Sequence, residues 1–226
     1  MLTDLSEATQ DYLKIIFELT ERFDRASTSQ IAEQLNVKPA SVTGMLQKMA
    51  QDKPQLVDYR KHQGVTLTAD GKKAALEILR HHRLLETFLH EILGYTWDEV
   101  HDEAERLEHV ISEDMERRMA AVLGNPNRDP HGQPIPNQDL ELISTSDFPM
   151  SELRPGQDAV VCRVQDDSPE LLRYLNSLGL RPQSQLSTLA YIPFDKTLQV
   201  QVQGQEEPAV LGPRITSQIF VEFADV

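Results

Sequence analysis

The sequence has little cysteine and no long apolar run. A single cysteine, Cys162, in 226 residues excludes a disulfide framework and a zinc site built from several thiolates. No stretch reaches the roughly 20 apolar residues that a membrane-spanning helix needs. The opening residues, MLTDLSEATQDYL, lack the basic and apolar regions of an export signal, so we expect a cytoplasmic protein without a membrane partner. Any metal site should use oxygen and nitrogen ligands.

Positive charge is scarce overall, and it is unevenly distributed. The formal net charge of -14 argues at first sight against a nucleic-acid-binding protein. However, residues 1–83 hold 12 Lys and Arg against 11 Asp and Glu, and residues 34–51 contain no acidic side chain. Because binding to DNA depends on local charge, this acid-free segment can still contact DNA.

Motifs for catalysis are also lacking. The segment ERLEH, residues 105–109, matches neither His-Glu-x-x-His nor His-x-x-Glu-His, and no phosphate-cradling glycine-rich loop or serine-centred nucleophile elbow is found. The paired Glu-x-x-His pattern of di-iron bundles is not met either. The sequence therefore gives no support for an enzyme.

The N-terminal third predicts three helices followed by a β-hairpin. Apolar residues recur at helical spacing over residues 6–22, with Ser6 as a cap. A second helix is expected to begin within Ser27–Ser29, and a third at Pro39, a residue suited to the first helical turn. Residues 56–68, LVDYRKHQGVTLT, contain two β-type runs around a basic tip. This order predicts a winged helix-turn-helix.

A winged helix-turn-helix places the second helix of its pair in the major groove, and its wing lies near phosphates. Ser, Thr and Gln side chains can bond base edges, and Ala or Thr methyl groups can meet a thymine methyl. The alternative is an ordinary helical packing unit with a hairpin, but the acid-free segment and the basic wing favour binding to double-stranded DNA. The predicted DNA-contacting residues are Lys38, Pro39, Ala40, Ser41, Thr43, Gly44, Gln47, Lys48, Arg60, Lys61 and His62.

Two long helices and then a β-rich segment are predicted after the hairpin. One helix is expected over residues 68–94 and another, continuous one over residues 96–124. Residues 125–139 are rich in proline and predict a linker. Short strands with one helical insert after Met150 predict a small β-barrel. The fold class is thus mainly α with a small β domain, and the predicted domains are 1–73 (DNA binding), 74–148 (helical) and 149–226 (β).

Acidic residues and histidines recur at helical spacing in the two long helices. Residues three and four apart on a helix are neighbours, so Glu105, Glu108 and His109 are expected to converge. The preceding helix carries His82 and Glu86, which are four residues apart. A single pair of this kind is more often a solvated helix face than a metal site. Two such groups in adjacent helices favour metal ligation.

These segments together resemble one known family, the diphtheria toxin repressor family of metal-dependent regulators, and in particular its manganese-responsive branch. The segments that carry the resemblance are DYLKIIFEL, QIAEQLNVKPASVTGMLQKM, RHHRLLETFL, VHDEAERLEHVISEDMERRM and DPHGQPIP. The combination of HRLLE with HDEAERLEHV indicates this family much more specifically than a helix-turn-helix alone does. The resemblance covers nearly the whole chain, and the β-rich end is similar to the family's SH3-like module and to small proteins associated with ferrous iron transport.

The resemblance implies two metal sites. The primary site would consist of Asp11, Glu105, Glu108 and His109. Iron-responsive members carry Met and Cys at the positions of Asp11 and Glu105, so the carboxylates found here favour Mn(II). Some manganese-type members have a cysteine where this chain has Asp129. The ancillary site would consist of His82, Glu86, His101, Asp129, His131 and either Asp166 or Asp167.

The resemblance further implies a Mn(II)-activated, homodimeric repressor of metal-uptake genes that binds palindromic operator DNA. It also makes residues 74–148 a metal-binding and dimerisation domain. In this hypothesis the metal bridges Asp11 in the DNA-reading domain and the ligands of the dimerisation domain. Fe(II) is the alternative cofactor, and Zn(II), Co(II) or Cd(II) are expected to occupy the sites in vitro. Two rival functions stay open, namely an Fe(II)- or Zn(II)-responsive regulator of the same fold and a metal-binding or storage protein that does not bind operator DNA.

Overall fold

The computed structural model describes residues 5–165 and 168–224, and the chain divides into two compact units. The first unit contains the described part of Met1–His82 together with Glu108–Ile111 and Pro136–Glu141. The second unit contains Arg83–Leu107, Ser112–Ile135 and the described part of Leu142–Val226. None of the helices in the described residues combines the length and the apolar character required to span a membrane.

Helices dominate the first two thirds of the chain and strands the last third. Within the described residues the α-helices are α1 (Glu7–Thr20), α2 (Thr28–Gln34), α3 (Pro39–Met49), α4 (Ala69–Glu91), α5 (Val100–Leu107), α6 (Glu113–Val122), α7 (Pro169–Ser177) and α8 (Pro213–Thr216). The strands are β1 (Val57–Arg60), β2 (Gly64–Leu67), β3 (Phe148–Pro149), β4 (Asp158–Val164), β5 (Gln185–Ile192), β6 (Thr197–Val202), β7 (Ala209–Leu211) and β8 (Ile219–Phe223).

The predicted starts of the first three helices are confirmed. The Ser6 hydroxyl accepts a hydrogen bond from the backbone N–H of Thr9 at 3.3 Å, and Ser27 forms a reciprocal capping box with Gln30 at the start of α2. Each cap satisfies an N–H group that has no partner within its own helix. Helix α3 begins at Pro39, whose missing N–H costs nothing at that position. The buried faces of α1 and α3 then form the core of this region, with Leu13, Ile16, Val42, Leu46 and Met49 fully buried.

The predicted hairpin is also confirmed. Strands β1 and β2 pair antiparallel and close at the pair Arg60–Gly64. Gly64 has a φ of +93°, and a Cβ there would lie 2.6 Å from the carbonyl oxygen of Ala26, so only glycine fits. The closing turn therefore presents Lys61 and His62, both exposed, at the tip.

The prediction of one continuous helix over residues 96–124 is wrong. Helix α5 ends at Leu107, and α6 begins only after Ser112, whose hydroxyl accepts a hydrogen bond from the backbone N–H of Met115 at 3.2 Å. The first turn of α6 is acidic, which suits the positive end of a helix dipole. This local chemistry starts a new helix rather than continuing α5. Glu108 and His109 consequently lie in a turn and not on the face of a helix.

The β-rich end of the chain forms a six-stranded antiparallel sheet in the order β3-β8-β4-β5-β6-β7. Alternate residues of β6, Leu198, Val200 and Val202, are buried, as expected for strands with one face on a core. The buried Trp97, from the segment between α4 and α5, joins this core. The predicted small β domain is therefore confirmed, although the three-residue strand β7 was not predicted.

Candidate metal centre and DNA-contacting surface

Helix α1 and the turn after α5 bring three metal-ligand side chains together in the first unit. His109 Nε2 lies 2.9 Å from Asp11 Oδ1 and 3.6 Å from Glu108 Oε1. One ligand atom of each side chain lies within 4.8 Å of the other two. We call Asp11, Glu108 and His109 the first metal group. Its two carboxylates and one imidazole fit a hard or borderline divalent cation.

Glu108 is the buried centre of the first metal group, with 1% of its surface exposed. His82 Nδ1 contacts its Oε2, and Lys14 Nζ donates a hydrogen bond to its Oε1 at 2.7 Å. Burial by itself would raise the pKa of Glu108, but His82 and then Lys14 outweigh it and lower this pKa to about 2. Glu108 is therefore a carboxylate anion at neutral pH. His82, predicted as an ancillary ligand, thus contacts a residue of the first metal group.

Gln10 orients the imidazole of His109. The Gln10 amide oxygen lies 2.9 Å from His109 Nδ1, and since an amide oxygen accepts, Nδ1 donates to it. Nε2 is then turned towards Asp11 and Glu108, as a ligand nitrogen must be. The hydrogen bond to Asp11 also raises the pKa of His109 above its ordinary value of 6.5. Gln10 was not predicted, because an amide side chain beside Asp11 matches no metal-binding pattern.

A second set of ligand side chains meets in the second unit. Glu86 on α4 and Asp129 and His131 in the loop after α6 offer ligand atoms that lie within 4.8 Å of one another, and all three residues are buried. We call these three residues the second metal group. Asp129 Oδ1 accepts hydrogen bonds from the backbone N–H groups of His131 at 2.8 Å and Gln133 at 2.9 Å, which closes the loop on itself.

The side chains of the second metal group are held by neighbouring polar groups. His131 Nε2 donates to the carbonyl oxygen of Trp97 at 2.6 Å, which leaves Nδ1 facing Glu86 Oε1 at 3.7 Å. Arg83 Nε lies 3.7 Å from Asp129 Oδ2. Burial, and then the nearby Glu86, raise the pKa of Asp129 to about 7. Two buried carboxylates this close favour a cation between them, since each destabilises the charge of the other.

His101 and Glu105, which were also predicted as metal ligands, belong to neither of the two metal groups. His101 Nδ1 lies 3.3 Å from Glu86 Oε1, so His101 contacts the second metal group. Glu105, predicted for the primary site, stands on α5 with a half-exposed side chain 3.9 Å from His101 Nε2. Asp166 and Asp167 lie outside the described residues.

The predicted DNA-contacting residues form an exposed surface on α3 and at the hairpin tip. All of them are exposed except Thr43, which is half buried and donates its hydroxyl to the Pro39 carbonyl at 3.1 Å. Arg60 forms an ion pair with Asp58 at 3.1 Å. An exposed ion pair of this kind contributes little free energy, so it leaves the guanidinium available to a phosphate.

Three family models match consecutive parts of the chain. Residues 4–65 match the model described as iron dependent repressor, N-terminal DNA binding domain, and residues 68–137 match iron dependent repressor, metal binding and dimerisation domain. Residues 148–223 match the FeoA domain.

Full-length relatives and solved structures agree with the family models. The iron-dependent repressor IdeR of Mycobacterium leprae is 35% identical over 82% of this chain and 85% of that protein, and IdeR of Mycobacterium tuberculosis H37Rv is 38% identical over the same shares. A manganese-dependent transcriptional repressor solved in complex with manganese has a TM-score of 0.89 and 40% identity over 96% of this chain and 100% of its own. The manganese regulator SloR has a TM-score of 0.79 and 34% identity over 96% and 98%.

Proposed function

The chain belongs to the iron-dependent repressor family, and we propose that it is a Mn(II)-activated, homodimeric repressor of metal-uptake genes that binds palindromic operator DNA. The relatives are metal-dependent transcriptional repressors by name, and this supports a regulator of transcription rather than an enzyme. A repressor must reach operator DNA, so we also propose a cytoplasmic location.

The donor set of the first metal group is the observation that carries the choice of Mn(II). Asp11, Glu108 and His109 offer oxygen and nitrogen atoms without a thiolate, and hard oxygen ligands suit Mn(II). The single cysteine, Cys162, lies in β4 of the other unit, and burial raises the pKa of its thiol to about 11. It is therefore a protonated core residue and offers no soft ligand to a metal.

Helix α1 links this metal group to the DNA-contacting surface. Asp11 stands on α1, and α1 packs against α2 and β2, which flank α3 and the hairpin tip. When bound, a divalent ion would supply positive charge and a link between α1 and the turn that holds Glu108 and His109. The residues that hold the ion would then keep α1 in one position. If the ion binds this arrangement more tightly than others, it shifts the population towards it.

The proposed dimer would match a palindromic operator. Two copies of α3, one from each protomer, would read two half-sites separated by one helical turn of DNA or a multiple of it. The hairpin tip, with Lys61 and His62 exposed, would contact phosphates beside each half-site.

Fe(II) is the second candidate metal, because carboxylate and imidazole ligands also bind Fe(II) and the mycobacterial relatives are iron-dependent repressors. The predicted ligands Asp11 and Glu105 distinguish the two metals best. Replacing them by Met and Cys would add soft sulfur ligands to a donor set that otherwise consists of carboxylate and imidazole.

The deciding experiment is fluorescence anisotropy with DNA from the region upstream of this protein's own gene. Chelator-treated protein would be titrated with Mn(II), with Fe(II) under anaerobic conditions, and with Zn(II), in parallel with the double variant Asp11→Met/Glu105→Cys. We expect Mn(II)-dependent binding by the native chain and a shift of preference towards Fe(II) in the double variant. Arg214→Ala, which removes an exposed charge from α8, is the control and should behave as the native chain does.

Two results would contradict the proposal. Activation by Fe(II) or Zn(II) in preference to Mn(II) would assign the chain to the other regulator class. Metal binding without any effect on DNA binding, at several DNA sites, would indicate a metal-storage function.

A further inference from the structure

A buried ammonium group lies against the first metal group. Lys14 stands on α1 three residues after Asp11, so both side chains lie on one face of the helix. Its Nζ is 2.7 Å from Glu108 Oε1, and both side chains are buried although 94 residues separate them in the sequence. A lysine that is removed from water in this way needs an anion beside it.

Lys14 contacts the Glu108 oxygen that faces the other metal ligands. Oε1, the oxygen bonded to Lys14, is also the one 3.6 Å from His109 Nε2, whereas Oε2 is turned towards His82. A divalent ion held by Asp11, Glu108 and His109 would therefore compete with Lys14 for the same carboxylate. Repulsion between two cations is strong where water is excluded, because the effective dielectric constant is low there.

We propose that Lys14 is an internal cation that competes with the metal ion for Glu108, and that it thereby sets the metal concentration at which the repressor responds. This inference rests on the proposed function of the first metal group. In the metal-free chain, Lys14 balances the buried charge of Glu108 and stabilises the fold. In the metal-bound chain it lies beside a second cation. Both effects weaken metal binding, so that the repressor responds only when the metal is abundant.

The test replaces the ammonium by an apolar side chain of similar length, Lys14→Met, and by another cation, Lys14→Arg. The control is Lys73→Met, which removes a positive charge from an exposed position on α4. Affinity for Mn(II) would be measured on chelator-treated protein by isothermal titration calorimetry, and thermal unfolding would be followed by circular dichroism with and without Mn(II).

We expect Lys14→Met to bind Mn(II) at least about tenfold more tightly than the native chain, because a nearby positive charge has been removed. Its Tm without metal should fall, and its gain in Tm on saturation with Mn(II) should exceed that of the native chain. Lys14→Arg and Lys73→Met should keep affinities close to the native one. A Lys14→Met chain that folds only in the presence of Mn(II) would also support the proposal, since the metal would then replace the missing cation.

Unchanged or weaker Mn(II) affinity in Lys14→Met would overturn the proposal and leave Lys14 with a structural role. If that variant folds under neither condition, Lys14→Gln, which keeps a hydrogen-bond donor but no charge, takes its place with the same expected outcomes. DNA anisotropy separates this inference from the proposed function. A native chain that ignores Mn(II) in DNA binding would contradict the function, whereas the change in Mn(II) affinity tests Lys14 in either case.

Discussion

At the scale of single residues, polar groups that are not metal ligands determine how the candidate ligands face one another. Gln10 accepts the Nδ1 proton of His109, and the Trp97 carbonyl accepts the Nε2 proton of His131. In each case the opposite ring nitrogen is directed at carboxylates. Such outer partners commonly change metal affinity by about 10- to 100-fold when they are removed.

Gln10→Leu is expected to weaken Mn(II) binding at the first metal group by about tenfold or more, because His109 loses the acceptor that orients its ring. The measurement is calorimetric titration of chelator-treated protein. Gln34→Leu, an exposed position on α2, serves as the matched control and should not change the affinity. Equal affinities for Gln10→Leu and the native chain would mean that packing alone orients His109.

Metal binding should depend on pH through His109. Its pKa in the folded chain is raised above 6.5, mainly by the hydrogen bond to Asp11, so the imidazole keeps its proton above that pH. The charged form stabilises the metal-free fold fully below pH 6.5, and this contribution is lost as the pH rises through the raised pKa. A ligand imidazole must instead be neutral.

Mn(II) affinity is therefore expected to rise with pH across and above 6.5, and calorimetry at several pH values can measure the slope. The variant His109→Gln should bind more weakly at every pH and lose most of the slope. If this variant kept the full slope, another group would be responsible for the pH dependence.

At the scale of elements, helix ends position the functional groups. The Ser112 cap starts α6 afresh, and the residues between α5 and α6 form a turn that belongs to the first unit together with α1. A continuous helix would have carried Glu108 and His109 on its own surface instead. The hairpin shows the same principle, since its tight closure at Gly64 leaves the basic tip exposed.

The hairpin tip is expected to contribute affinity for DNA without sequence preference. Lys61→Ala should weaken binding to operator and scrambled DNA alike and reduce the slope of log K against log salt by about 0.9, the value for one lost phosphate contact. Gln47→Ala on α3 should instead reduce the difference in affinity between operator and scrambled DNA. Anisotropy over a series of salt concentrations measures both effects, with Arg214→Ala as the control for loss of a charge. Equal slopes of log K against log salt for Lys61→Ala and Arg214→Ala would mean that the hairpin tip does not contact DNA.

At the scale of the whole molecule, the second unit combines the loop of the second metal group with the β-sheet. The backbone N–H of Val164 in β4 donates to the carbonyl oxygen of His131, and Gln133 Nε2 donates to the carbonyl oxygen of Val164. Gly132 lies between these two contacts with a φ of +84°. The second metal group is therefore held in part by the β domain.

Gly132→Ala is expected to disrupt this attachment, since a Cβ would lie 2.0 Å from the carbonyl oxygen of Cys162. The variant should lose Tm and bind less metal at the second metal group, while the first metal group keeps its affinity. Gly156→Ala is the matched control because its φ is +83° and nothing lies within 4 Å of the added Cβ. It should lose only about 1–2 kcal/mol, the cost of a left-handed backbone. Equal losses of Tm and of metal binding in the two variants would show that the close contact with Cys162 determines neither quantity.

The sequence alone determined most of the order of elements and the types of ligand. Helix caps such as Ser6 and Ser27, hydrophobic periodicity and the glycine of the hairpin act over a few residues, so these patterns predicted the winged helix-turn-helix and the small β domain, which are confirmed. The family resemblance, which the relatives confirm, depended on residue identities of the same local kind. The domain boundaries, the assignment of individual site residues and the choice of Mn(II) stay predictions.

Only the tertiary structure decided which groups surround the ligands. Lys14 meets Glu108 across 94 residues, and Gln10 meets His109 across 99. The break before Ser112 likewise changed which residues lie on a helix. None of these features has a signature in local sequence, because a lysine or glutamine on α1 has the same local propensity whether it faces water or a buried carboxylate. Burial and charge at the first metal group depend on packing between distant segments, and such packing is a property of the folded chain.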